Sequence, residues 1–145
     1  MERVVKFRGR NYDGTWMYGY LMPTPKPQIH PNNKYSISVS PQALTSVDKV
    51  LYEVETDTIG QFTGLHDYKG REIYEGDVIC SELVSGREVL HKIEYNVENA
   101  MFVAKPLEGL DFDYCHIYKH WIWRYGKEVI GNIYDTPNFL TDDND

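Results

Sequence analysis

The sequence predicts a mainly β protein built from short strands, and three observations carry that reading. Aromatic residues make up 14% of the 145 residues, with twelve tyrosines and three tryptophans; these are residue types that suit half-buried strands. No segment longer than about a dozen residues keeps a helical 3.6-residue period. Period-two runs recur instead, at spacings of about 8–12 residues with turn signals between them, the pattern of a small barrel or sandwich.

The elements follow in order. VVKFRGR (4–10) and TWMYGYLM (15–22) alternate with period two on either side of Asp13-Gly14, which predicts a hairpin because glycine supplies the positive φ of a tight reversal. PTPKPQIHP (23–31) cannot donate ladder hydrogen bonds at its four prolines and reads as an extended surface loop. A proline-rich ligand for a partner domain is the rival reading of that loop. KYSISVS (34–40) reads as a strand, 41–49 as room for one helical turn, and Tyr52 to Glu55 as a strand again. Further strands are expected at Asp77 to Leu83, Glu88 to Tyr95, Met101 to Lys105, Tyr114 to Trp123 and Glu128 to Tyr134. Turns fall at Ser85-Gly86, Asn96 to Asn99 and Gly126, a break at Pro106 to Gly109, and a Pro137-containing cap precedes a frayed acidic tail.

The length suits one ordinary domain or two small sub-domains. Cys80 and Cys115 lie far apart with no CxxC, which signals neither a disulfide framework nor a zinc ribbon and fits reduced thiols in a cytoplasm. No apolar run reaches signal-peptide or membrane-spanning length, so a cytoplasmic protein without membrane association is expected. Net charge is −7 but uneven: residues 1–49 carry seven Lys/Arg against three acids, and residues 72–145 carry six against fifteen. The acidic whole argues against indiscriminate coating of DNA, while a local basic patch remains open.

The stretch GQFTGLHDYKGREIYEGDVI (60–79) gathers acids, a histidine and glycines. Asp67 to Gly70 fits a β-turn in which the aspartate accepts from nearby backbone N–H groups and the glycine takes the left-handed position. Gly76-Asp77 does the same at a strand entrance, so Gly64, Asp67, Gly70, Gly76, Asp77 and, further on, Gly131 are expected to be turn residues. The rival reading makes His66, Asp67, Glu72, Glu75 and Asp77 an acid/base or hard-metal cluster. Groups so close along turns and strands mostly diverge, and the structural reading is preferred. Cys115, His116 and His120, with Cys80 as a distant fourth, form the best soft-metal candidate. The expectation is nonetheless no metal, no cofactor and no catalytic residue, since no Walker-type loop, GxSxG or HExxH occurs.

YKHWIWRYGK (118–127) interleaves Lys119, Arg124 and Lys127 with Trp121, Trp123 and Tyr125. Stacking rings beside cations are what a single-stranded nucleic acid requires. The opening hairpin offers a similar mixture in Lys6, Arg8 and Arg10 with Phe7, Tyr12, Trp16 and Tyr18. The simpler reading of the first segment is a strand whose Trp121 and Trp123 share a core or intersubunit face.

Three pieces of the chain resemble the YopX family of phage and prophage proteins. TIGQFTGLHDYKGREIYEGDVI (58–79) is similar to its central block, EVIGNIYDTP (128–137) to its closing block, and KFRGR with WMYGYL to its opening hairpin. The residues predict an N-terminal β-hairpin region with the proline-rich loop over 1–57 and an acidic tail over 141–145, and the resemblance implies an SH3-like barrel or roll over 58–140 between them. It implies no established reaction. The resulting expectation is a non-enzymatic binding module of a bacterial cytoplasm, forming homo-oligomers through its aromatic surface. Its partner is single-stranded nucleic acid, through Lys6, Arg8, Arg10, Lys119, Trp123, Arg124 and Lys127, or alternatively a host or phage protein. A metal- or acid/base-dependent enzyme is the third reading.

Overall fold

The computed structural model describes residues 3–26, 31–39, 51–82, 84–107, 115–124 and 127–140. Among the described residues, eleven strands and one short α-helix make a mainly β fold. Pairing arranges the strands as a six-stranded sheet in the order β4-β3-β2-β1-β5-β6 and a five-stranded sheet in the order β10-β9-β8-β7-β11. The strands are β1 (Phe7–Arg10), β2 (Trp16–Pro23), β3 (Tyr35–Ser38), β4 (Leu51–Val54), β5 (Gly60–His66), β6 (Glu72–Tyr74), β7 (Asp77–Glu82), β8 (Glu88–Asn96), β9 (Met101–Pro106), β10 (Cys115–His116) and β11 (Glu128–Asn132); the helix is α1 (Lys119–Arg124). The chain divides into two compact units, Met1–Phe62 and Thr63–Asp145.

In the first unit, β1 and β2 pair in the register Phe7↔Gly19 to Arg10↔Trp16. The reversal is organised by the Asn11 side chain, whose Oδ1 accepts from the backbone N–H groups of Asp13 and Thr15. β3 continues the meander, with Tyr20 opposite Ser38, and β4 pairs on its far side. Ile37, Val54 and Phe62 are buried here. Gly9 sits where an added Cβ would lie 2.7 Å from the Val54 side chain, so β1 and β4 residues approach more closely there than any larger residue allows.

In the second unit, β7, β8 and β9 form an antiparallel meander with β10 and β11 on its two flanks. The core gathers Ile73, Ile79, Ile93, Ala104 and Ile122, with Leu65, Ile117, Trp121 and Val129 packed against it. Strand pairing ends at β10 and β11, and no barrel closes by pairing among the described residues. No helix among them is long and apolar enough to cross a membrane.

Two expectations are corrected. The strand expected over Tyr114 to Trp123 is only the two-residue β10, after which Lys119–Arg124 turn helical. Alternating tryptophans and isoleucine mimic a strand, but in the helix Ile122 alone is buried while Trp123 turns outward, so Trp121 and Trp123 do not share one buried face. Gly131 is inside β11, at a register irregularity between Val129 and Gly131, and not in a turn. The turn begins after Asn132, whose Oδ1 accepts from the N–H groups of Tyr134 and Asp135. The helical turn expected within 41–49, the turn at Gly126 and the tail over 141–145 lie outside the described residues.

Candidate functional site

The turn at 67–71 is built around one carboxylate. Asp67 Oδ1 accepts from the backbone N–H groups of Lys69 at 2.9 Å and Arg71 at 2.8 Å, and Oδ2 accepts from Val129 N–H at 2.9 Å. Asp67 N–H donates to Arg71 O at 2.7 Å, and Gly70, at φ +87°, closes the reversal. Asp77 is 1% exposed, and its Oδ2 accepts from Tyr74 N–H at 2.8 Å across the reversal at Gly76. Both acids hold their own backbone, and Glu72 accepts from the Tyr74 hydroxyl. Gly64 is corrected as a turn residue: it lies within β5, at φ +87°.

The same turn grips β11. Tyr68 N–H donates to Lys127 O at 2.9 Å, Arg71 Nη1 donates to Val129 O at 3.0 Å, and Lys69 Nζ pairs with Glu128 at 3.2 Å. The Val129 N–H and C=O, which would otherwise face an empty sheet edge, are thus satisfied by two side chains of the turn.

This anchoring brings Tyr68 to α1. Its ring meets that of Trp123 edge to face, with centroids 5.1 Å apart, and the two rings are 49% and 54% exposed. The exposed cations Lys119 and Arg124 share α1 with Trp123, and exposed Lys69 follows Tyr68. The helix carries no acid. Two aromatic rings open to solvent, with cations on the same helix, are the groups that stacking on a flat, anionic ligand would use.

Lys127 is corrected as a contact residue: it is 2% exposed and cannot reach a bound phosphate. Its Nζ donates to Trp121 O at 2.8 Å and stands 4.2 Å from the Trp121 ring centre, while its N–H donates to Ile122 O at 3.0 Å. It therefore caps the C-terminal end of α1, where carbonyls have no helical partner. Burial, reinforced by Arg124 and offset by the Cys115 thiol, pushes its pKa down to about 8. Sequence reasoning missed this cap because it missed the helix; a lysine just beyond a helix end would otherwise have been the signal.

In the first unit the cations of β1 lie against aromatic rings. Lys6 Nζ is 5.3 Å from the Phe62 ring centre, and the Arg8 and Arg10 guanidinium groups are 4.7 and 6.0 Å from that of Trp16. Arg8 is 5% exposed and is corrected as a contact residue, because its charge is enclosed against the sheet. Arg10 also pairs with Glu55 at 3.4 Å. Lys6 and Arg10 remain half-buried, and Tyr18 on the neighbouring strand is exposed.

Among the described residues no three His, Cys, Asp or Glu side chains converge on a metal-sized site. Cys115 and His116 are in β10 while His120 is in α1, so no single strand or helix presents all three. Cys80 lies in β7, where burial and then Glu88, Glu128 and Glu82 push its thiol pKa up.

The comparisons agree with this architecture. Residues 6–141 match the family model described as YopX protein. No curated protein matches the chain. Among solved structures, the crystal structure of protein EF1440 from Enterococcus faecalis is similar in fold, with a TM-score of 0.57 at 24% identity, covering 97% of this chain and 100% of that one.

Proposed function

The chain belongs to the YopX family, and on that footing we propose that it is a non-enzymatic β module that binds single-stranded nucleic acid. The observation that carries the reading is the exposed Tyr68–Trp123 pair, 5.1 Å between centroids, with the exposed Lys119 and Arg124 on the same helix as Trp123. Bases of any sequence stack on such rings, and the cations neutralise the phosphates that follow. We read the five-stranded sheet with α1 as an SH3-like roll whose open edge is closed by side chains of the 67–71 turn. The non-enzymatic reading is supported by Asp67 and Asp77, the acids a catalytic site would draw on, which are engaged with backbone N–H groups.

The test is equilibrium binding of fluorescent single-stranded DNA and RNA oligonucleotides at low salt. Binding that weakens steeply with salt and drops on Trp123→Ala and on Arg124→Ala is expected; undetectable binding at low salt overturns the reading. Self-association is part of the proposal, supported by the exposed Tyr12, Tyr18, Tyr35, Tyr95 and Tyr118. Sedimentation showing only monomer at micromolar concentration removes that part alone.

A further inference from the structure

Next to the Tyr68–Trp123 surface lies a buried cluster with which the binding reading has no direct contact. The Trp121 ring meets the His91 imidazole edge to face, centroids 5.7 Å apart, and the Lys127 ammonium stands 4.2 Å from the same ring's centre. His91, on β8, is 7% exposed, and its Nδ1 has no hydrogen-bond partner among the described residues. We propose that His91, Trp121 and Lys127 form an acid-sensitive latch: with His91 neutral, α1 is seated on the sheet, and protonation of His91 releases it together with Trp123 and Arg124.

The cluster is asymmetric in charge. One cation, Lys127, is accommodated by the Trp121 ring and the Trp121 carbonyl together. A second cation on the imidazole would meet the same indole, and no carboxylate among the described residues pairs with it. Among the described residues, the groups facing His91 are Trp121 of α1 and the Lys127 ammonium, with Arg124 and Cys115 next to Lys127. From the flanking strands the register brings Ile79 of β7 and Pro106 of β9, neither of which titrates. Lys92 and Glu94 pair with each other at 3.1 Å and, by strand alternation, project from the opposite face. Burial, and then Lys127, push the His91 pKa down to about 4. Moving α1 away opens the imidazole to water and removes the Trp121 carbonyl and ring that hold the Lys127 ammonium in place.

The latch rests on the proposed function only for its consequence, and its test uses no nucleic acid. In the full chain, NMR would follow the His91 imidazole, the Trp121 and Trp123 indole N–H signals, and amide exchange in residues 119–124 from pH 7 down to 3.5. The expected result is a His91 midpoint near 4, shared by Trp121, with α1 amides exchanging about tenfold faster below it after correction for intrinsic rates. His91→Phe keeps a ring on Trp121 without a proton, and α1 should stay seated across the range. Lys127→Met should raise the His91 midpoint by about one unit. Titration of His91 at its ordinary value without any change in α1 overturns the latch, as does release that persists in His91→Phe. If His91→Phe does not fold, an unshifted midpoint in Lys127→Met overturns it. Failure to bind oligonucleotides would leave all these readouts intact and would count only against the binding reading.

Discussion

Asp67 Oδ2 accepts a hydrogen bond from Val129 N–H at 2.9 Å, joining residues 62 positions apart. The same carboxylate organises its own turn through Oδ1, so one side chain shapes a reversal and seals the edge of a sheet. Asp67→Ala leaves three backbone donors without this acceptor at a residue 4% exposed. A loss of about 3 kcal/mol is expected in urea unfolding. Asp67→Asn can retain the two Oδ1 contacts but sets an NH2 donor against Val129 N–H, and should cost about 1–2 kcal/mol. Equal stability of all three proteins would show that the carboxylate does not hold the edge.

The two family blocks also meet at Gly76 and Tyr134. Gly76 has φ +90°, and an added Cβ would lie 2.7 Å from a ring carbon of Tyr134. Gly70 has nearly the same φ, +87°, with nothing within 4 Å of its would-be Cβ. Gly70→Ala should therefore cost only the left-handed backbone term, about 1 kcal/mol. Gly76→Ala adds overpacking against the ring, for a total of about 2–4 kcal/mol. Combining Gly76→Ala with Tyr134→Ala should recover part of that steric loss in a double-mutant cycle; strict additivity would place the cost elsewhere.

Local turn chemistry was legible in the sequence, and its long-range partners were not. Asp13-Gly14 announces the first hairpin, and Asp67 and Asp77 announce caps, because such residues bond backbone two to four positions away. Nothing in HDYKGR indicates that its carboxylate also reaches Val129, since that contact depends on how β11 folds back beside β7. The helix was illegible for a different reason. KHWIWR is short and alternates aromatic with aliphatic residues, so intrinsic preference favours a strand. Burial of Ile122 and the Lys127 cap decide otherwise. Because the helix was missed, so was the meeting of Tyr68 with Trp123, and Lys127 was placed at the surface it supports from below.

Two bases with lowered pKa give stability two pH windows of the same sign. His91 titrates near 4 in the fold against 6.5 ordinarily, and Lys127 near 8 against 10.5. In each case the neutral form is favoured by the fold, so the unfolded chain holds more protons between the two values and stability rises with pH. At about 1.4 kcal/mol per unit, each window amounts to about 3 kcal/mol. Urea midpoints should climb from pH 4 to 6.5 and again from pH 8 to 10.5. His91→Phe should flatten the first climb and Lys127→Met the second; a climb unchanged in its variant would assign that window to other groups.

The exposed rings and cations of the binding surface should separate by their response to salt. In the proposed function Arg124 neutralises phosphate and displaces counterions, so Arg124→Ala should lower affinity and reduce the slope of log K against log salt by about 0.7, the single-strand value per contact. The same proposal gives Trp123 a stacking role, which releases no counterions. Trp123→Ala should lower affinity by about 1–3 kcal/mol at every salt concentration with the slope unchanged. Tyr68→Ala should follow Trp123→Ala, and the pair should be non-additive, because each ring props the other at 5.1 Å. Since Trp123 is 54% exposed, its removal should leave the unfolding midpoint nearly where it was. If Trp123→Ala flattened the salt slope while Arg124→Ala left it intact, the roles drawn from the geometry would be wrong.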